Sequence, residues 1–223
     1  MTYCDRITKE AKDAMFRAIE QTQEDYREHF LKLCEDKDKN IVPSDICVGI
    51  YCMVSPRTIS EANCPNNTSE IGNFHTHPGF ETRYSKPSKQ DIVAAAATKS
   101  KMFCIGHSKS VPNKVENDKW IEKNKSITDC YDIKDKRLLE LGDTAYEATL
   151  REDAELRDKI VEKMFSRLEE LEYPSNIEDV INKKCSLTET KTFEYTTRNR
   201  QVIRDSKRLT KVIRKENKST TTA

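Results

Sequence analysis

The sequence contains no long hydrophobic run. No stretch approaches the roughly 18 consecutive apolar residues that a membrane-spanning helix needs, and the polar residues 1–10 do not resemble a signal peptide. Lysine and arginine (39 residues) nearly balance aspartate and glutamate (38 residues), so the chain as a whole is not a polyelectrolyte. These absences predict a soluble, cytoplasmic protein that does not act at a membrane.

The sequence also lacks CxxC pairs. It has eight cysteines, but none of them forms such a pair, which argues against a zinc knuckle and against a thioredoxin-like motif. Cysteines of cytosolic proteins are usually small buried hydrophobic residues, whereas disulfides require an oxidising compartment or a thermophile's cytosol. We expect buried thiols here, with disulfides as the alternative.

The first 135 residues carry the pattern of one α/β (α+β) domain. Segments with apolar residues at helical spacing alternate with short apolar runs that end at proline, asparagine or charged residues. We therefore expect a mixed sheet flanked by helices, with a long polar loop between its last two strands. The predicted elements are helices over 8–35 and 88–97, and strands over 46–54, 58–64, 71–75, 102–106 and 127–133.

The composition changes after this domain. One or two charged amphipathic helices are predicted over 138–171, and we assign residues 136–187 to a helical extension. Residues 188–223 form a predicted basic tail, helical or disordered. From position 191 onward, ten basic residues stand against three acidic ones, a net charge of about +7. Such a tail can contact nucleic acid or an acidic partner, although a solvated tail is the simpler interpretation.

Two of the four histidines lie together at the end of a predicted strand. His75 and His77 are two residues apart, and alternate residues of a strand point to the same face. Asp91 lies in the first turn of the next helix, which begins at Ser88. Hydrolytic zinc sites use three protein ligands and keep one open position, and these two histidines and Asp91 can supply the ligands. Ser88 and Asp91 would also make an ordinary helix-capping pair.

The same residues match the motif of a known family. The segment His75-Thr76-His77-Pro78, followed after a loop by Ser88 and Asp91, resembles the HxHP…SxxD motif of the JAMM/MPN metalloprotease domain family. The loop and the helix start are similar to the prokaryotic-type branch of that family. The resemblance covers about residues 5–135, and it implies an MPN-type mixed sheet flanked by helices.

The resemblance also implies a function. His75, His77 and Asp91 would bind Zn²⁺, and Ser88 would steady the oxyanion of the tetrahedral intermediate. The activity implied is that of a zinc-dependent isopeptidase or protease, in which the metal activates a water molecule that attacks the amide carbonyl. The substrates implied are conjugates of a ubiquitin-like protein, cleaved at the C-terminus of the modifier.

A general base is the remaining requirement of the family. It is a glutamate on the first strand or just before it. With residues 46–54 as that strand, the matching position is Asp45. Glu61, on the second predicted strand, is the other candidate, and Glu24 and Glu35 on the predicted first helix are further choices. The sequence leaves this assignment open.

Two alternatives to an enzyme stay open. One is an MPN-type scaffold or binding module that keeps the fold but lacks a competent base. The other is a RadC-like nucleic-acid-processing protein, suggested by the shared motif and the basic tail. His107, after the strand predicted at 102–106, could line the site, although a lone histidine there is more often structural.

Overall fold

The computed structural model of the protein describes residues 3–25, 27–49, 61–78, 85–116 and 119–196. These residues form six helices and seven strands. The helices are α1 (Tyr3–Arg6), α2 (Lys9–Asp25), α3 (Lys89–Ala97), α4 (Lys136–Leu150), α5 (Ala154–Glu170) and α6 (Ile177–Val180). The strands are β1 (His29–Glu35), β2 (Ile41–Pro43), β3 (Cys47–Val48), β4 (Ser69–Thr76), β5 (Met102–Glu116), β6 (Lys119–Ile133) and β7 (Ile181–Thr196).

The seven strands form one mixed sheet in the order β2-β1-β4-β5-β6-β7. Strand β3 also pairs with β1, along the part of β1 that β2 does not cover. Strand β1 runs antiparallel to β2, β3 and β4, whereas β4 and β5 are parallel. A parallel pair needs a crossover connection, and α3 lies in the connection between β4 and β5. The prediction of an α+β mixed sheet flanked by helices is confirmed.

Helices cover both faces of this sheet. Side chains alternate along its central strands, so each strand contributes to both layers. On β5, Met102 and Cys104 pack in one hydrophobic cluster with helix α2. The intervening Phe103 and Ile105 pack in a second cluster with α3, α4 and α5. The face that carries α3 is the face that positions the candidate site. None of the helices in the described ranges is long and apolar enough to cross a bilayer.

The amphipathic segment after residue 135 forms two helices, α4 and α5, as its apolar spacing predicts. Their buried stripe, which includes Leu138, Met164 and Leu168, belongs to the same cluster as α3. Among the described residues, those in Met1–Lys109 and Ser126–Glu189 form one compact unit, and those in Ser110–Lys125 and 190–196 form another. The predicted boundary at residue 135 falls inside the first unit, to which the site belongs.

The predicted first helix and the predicted polar loop differ from the structure. The helix predicted over 8–35 ends at Asp25, and residues 29–35 form β1 instead. Strand β1 is buried on both faces, so its apolar residues follow no alternation that separates a strand from a helix. The polar loop predicted between 107 and 126 is wrong where it is described, because β5 and β6 continue through it.

Further differences concern the second predicted strand and the tail. Residues 62–64 form no strand, and residues 50–60, which complete the predictions at 46–54 and 58–64, lie outside the described residues. Strand β7 spans Ile181–Thr196, so residues 181–187 of the predicted helical extension and residues 188–196 of the predicted tail form a strand and not a helix or a disordered segment. The remainder of the basic tail lies outside the described residues.

Six of the cysteines form disulfides. The bonds join Cys4 to Cys185, Cys34 to Cys64, and Cys104 to Cys130. The first ties α1 to β7 and the third ties β5 to its neighbour β6. The expectation of buried thiols is therefore wrong for these residues, and Cys47 on β3 is a free thiol.

Candidate metal centre

Strand β4 places the two histidines side by side. His75 is the penultimate residue of β4, and His77 follows the strand by one residue. The backbone N–H of His77 donates to the carbonyl oxygen of Gly106 at 2.8 Å, so the pairing with β5 continues past the end of β4. Both imidazoles therefore point to the α3 face, and their Nε2 atoms are 3.2 Å apart. Both side chains are buried.

Helix α3 brings Asp91 to the same place. Ser88 caps the helix: its Oγ accepts from the backbone N–H of Asp91 at 3.2 Å, and the Asp91 carboxylate accepts from the backbone N–H of Ser88 at 2.5 Å. The Asp91 Oδ1 lies 3.0 Å from His75 Nε2, and Oδ2 lies 3.4 Å from His77 Nε2. Ser88 and Asp91 thus form the capping pair, and Asp91 also faces both histidines.

The three side chains form a group that could hold a metal ion. Their candidate ligand atoms all lie within 4.8 Å of one another. Two imidazole nitrogens and one carboxylate oxygen match the donor sets of hydrolytic zinc sites, in which water or substrate takes the fourth position. The cluster of His75, His77 and Asp91 therefore fits a zinc ion.

The electrostatics of the cluster favour a charged carboxylate. Burial raises the pKa of Asp91, but His75 and His77 lower it more strongly, so it ends well below its usual range. Burial lowers the pKa of His75, but the charges of Asp91 and Glu28 outweigh burial and hold this pKa above its usual value. An anion that is largely buried requires compensation by positive charge, which a bound cation would also supply.

Glu28 is the residue that sequence reasoning missed. It immediately precedes β1, and its carbonyl oxygen accepts from the N–H of Gly49 at 2.7 Å. Phe30 pairs with His75 across β1 and β4, and paired residues of antiparallel strands point to the same face. Two residues earlier, Glu28 therefore lies on the face of the two histidines and level with His77. Its charge contributes to the raised pKa of His75, after burial and Asp91.

One signal in the sequence could have identified Glu28. The resemblance to the JAMM/MPN motif implies a glutamate on the first strand or just before it, and the first strand of the structure is His29–Glu35. Residues Phe30 to Cys34 are apolar except for Lys32 and end in a charged loop, which is also typical of a buried strand. The helical spacing that continues from α2 concealed this strand, so the matching position was assigned to Asp45, in front of the strand predicted at 46–54.

The two residues predicted as bases, Asp45 and Glu61, lie near the thiol of Cys47. Asp45 and Glu61 are both exposed. Burial raises the pKa of the Cys47 thiol, and the charges of Glu61 and Asp45 raise it further, so both carboxylates lie near Cys47. Cys47 belongs to β3, which is separated from β4 by β1, a distance of roughly 10 Å at the usual strand spacing. Glu35 lies at the far end of β1, where it pairs with Lys39.

His107 flanks the cluster. It follows Gly106 on β5, and the ladder between β4 and β5 therefore places it beside His77. Its Nε2 lies 3.9 Å from Asp129 Oδ2. Burial raises the pKa of Asp129, but the nearby His107, the ion pair with Lys183 and the hydrogen bond from Ser186 lower this pKa more strongly, to about 2. His107 is not part of the group of three candidate ligands, so the structure places it next to the site and not in it.

A polar network on the opposite face holds the end of β4. The hydroxyl of Thr76, between the two histidines, accepts from the backbone N–H of His29 at 2.8 Å and contacts the hydroxyl of Thr22 on α2. All three residues are buried. Because buried polar groups are costly without partners, this network fixes the position of β4 against β1 and α2 at the level of the site.

No model of a known protein family matches the chain, and no curated protein matches it. The resemblance to the JAMM/MPN family therefore stays a prediction that depends on the motif. Three of the motif positions, His75, His77 and Asp91, form one cluster, which lies between the end of a strand and the start of a helix.

Proposed function

We propose that the protein is a zinc-dependent isopeptidase of the JAMM type that cleaves conjugates at the C-terminus of a ubiquitin-like modifier. The observation that carries the proposal is the convergence of His75, His77 and Asp91, with the carboxylate of Glu28 on the same face of the sheet. This arrangement supports hydrolysis because it combines a ligand set with a neighbouring base.

Each group in the site has a role in this proposal. A zinc ion bound there would lower the pKa of a water molecule and polarise the scissile carbonyl. His75, His77 and Asp91 would hold it. Glu28 would accept the proton of the attacking water and deliver it to the departing amine. The Oγ of Ser88 accepts the cap hydrogen bond, and its own O–H can still donate to the developing oxyanion.

Glu28 also bears on the scaffold alternative. The argument for a non-catalytic MPN-type module was the absence of a glutamate in front of the strand predicted at 46–54. With β1 at His29–Glu35, a glutamate occupies the expected position. This favours an enzyme over a scaffold. The nucleic-acid alternative depends on the basic tail beyond position 196, which lies outside the described residues.

The compartment is a separate part of the proposal. Three disulfides persist in oxidising surroundings or in the cytosol of some thermophiles. We therefore favour one of these environments over an ordinary cytoplasm. Alkylation of free thiols in protein purified from its native host, followed by mass measurement, distinguishes the two: six protected cysteines are expected, and six alkylated ones would restore the cytoplasmic assignment.

Metal analysis and a cleavage assay test the function. The purified protein should contain about one zinc ion per chain, and His77→Ala and Asp91→Ala should lose it. Glu28→Gln should keep the zinc but lower the cleavage rate of a ubiquitin-like conjugate by roughly two to four orders of magnitude, the usual size of a general-base effect. Asp45→Asn is the matched control and should retain activity.

Two outcomes would change the assignment. Full activity of Glu28→Gln together with an inactive Asp45→Asn would return the base to the segment before β3. A zinc-loaded protein that cleaves no ubiquitin-like conjugate would favour the scaffold.

A further inference from the structure

Tyr173 reaches the start of the helix that carries Asp91. It lies after α5, in the part of the chain beyond the family resemblance, and its backbone N–H donates to the carbonyl oxygen of Leu168 at 2.9 Å. Its ring is buried in the cluster formed by α3, α4 and α5. Its hydroxyl donates a short hydrogen bond to the carbonyl oxygen of Pro87. Pro87 is the residue before the helix cap.

The peptide group between Pro87 and Ser88 is held at both ends. Its carbonyl oxygen accepts from Tyr173, and its N–H donates to the carboxylate of Asp91 at 2.5 Å. Hydrogen bonds in such a chain polarise one another. A donor at the carbonyl oxygen therefore strengthens the N–H as a donor to Asp91, and it also prevents the peptide from rotating.

The surroundings keep Tyr173 in the donating form. Burial raises the pKa of Tyr173, and the negative charge of Asp91 raises it further, so the hydroxyl stays protonated at neutral pH. The ion pair between Lys89 and Glu169, at 3.3 Å, makes a second link between α3 and α5 near the same end of α3. Because that ion pair is exposed, it contributes little energy, and the buried hydroxyl is the stronger link.

We infer that Tyr173 is a positioning residue of the metal centre, which orients Asp91 through the peptide group between Pro87 and Ser88. The helices after residue 135 are then part of the site and not an appended module. This inference rests on the metal binding of the proposed function, but not on its isopeptidase activity. Partners of this kind behind a metal ligand typically change metal affinity by about 10- to 100-fold.

The test compares two variants that each remove one buried hydroxyl. Tyr173→Phe keeps the ring in the cluster but leaves Pro87 without its donor. Tyr131→Phe is the matched control, because Tyr131 lies in the same cluster and both tyrosines are 6% exposed. Zinc affinity is measured by competition with a chromophoric chelator, and the absorption of the Co²⁺-substituted protein reports ligand geometry.

Tyr173→Phe should weaken zinc binding by about tenfold or more and alter the Co²⁺ spectrum, whereas Tyr131→Phe should do neither. Equal affinities and spectra of wild type and both variants would overturn the inference while the metal site stands. A wild type without zinc affinity would overturn both. A zinc-binding but inactive wild type, with the expected weakening in Tyr173→Phe, would overturn only the isopeptidase.

A second measurement uses the metal-free protein and keeps the hydroxyl group at position 173. Replacement of Tyr173 by 3-fluorotyrosine keeps the hydroxyl and makes it a stronger donor. In the metal-free protein, the amide proton resonance of Ser88 should then move downfield, since its hydrogen bond to Asp91 strengthens. An unchanged Ser88 resonance would overturn the inference even if Tyr173→Phe failed to fold.

Discussion

Replacement of Gly142 by alanine should destabilise the protein, although the same change in a solvent-facing helix would stabilise it. Gly142 lies in α4 where this helix crosses α3 at Ala96. A Cβ added at position 142 would lie 2.4 Å from the carbonyl oxygen of Ala96, 2.8 Å from its carbonyl carbon and 3.2 Å from its Cβ. The two nearest atoms belong to the backbone, so no side-chain rotation relieves the contact.

Two opposing effects decide the magnitude. Alanine in a helix interior is favoured over glycine by about 1 kcal/mol. Overpacking a core costs typically about 1–3 kcal/mol, and the high end applies because α3 and α4 must separate. The net result should be a loss of about 1–2 kcal/mol in the free energy of unfolding. Since α3 also carries Asp91, the displacement should weaken zinc binding as well.

Urea denaturation and a zinc titration measure both consequences. The midpoint should fall in Gly142→Ala without a change in the denaturant slope, because the same surface is exposed on unfolding. Thr144→Ala, at an exposed position of the same helix, is the control and should be close to neutral. A Gly142→Ala variant as stable as wild type would show that α3 and α4 do not approach as closely as the structure indicates.

Two further changes test charge and covalent structure. Asp129→Asn should cost about 2 kcal/mol at neutral pH, because the pKa of Asp129 is lowered to about 2 from 3.8. A carboxyl group of lowered pKa stabilises the fold above its unfolded pKa, so this difference should disappear as the pH falls from about 4 to 2; a pH-independent difference in urea denaturation would contradict it. Removal of the bond between Cys4 and Cys185, which are 181 residues apart, in a double serine variant should cost up to about 5 kcal/mol by the chain-entropy argument. Equal unfolding midpoints with and without that bond would argue that the two thiols are not joined.

Local geometry alone determined the candidate metal motif. Strand period places His75 and His77 on one face whatever the strand pairs with, and the capping preference of Ser88 and Asp91 starts a helix at that point. Both signals depend on residues only a few positions apart, so they could be predicted from the sequence without the tertiary structure. The apolar stripe of α4 and α5 was predictable for the same reason, because the buried residues of a helix recur every three to four positions.

The tertiary structure decided what lies around that motif. Strand β1 has apolar residues at a spacing that a helix would also show, and only its place between β2, β3 and β4 makes it a strand. Glu28 gains its position from that pairing. The hydroxyl of Tyr173 meets Pro87 across 86 residues of chain, and Cys4 meets Cys185 across 181. Such contacts depend on which segments pack together, and that choice arises from the free energy of the whole core, which no local spacing encodes.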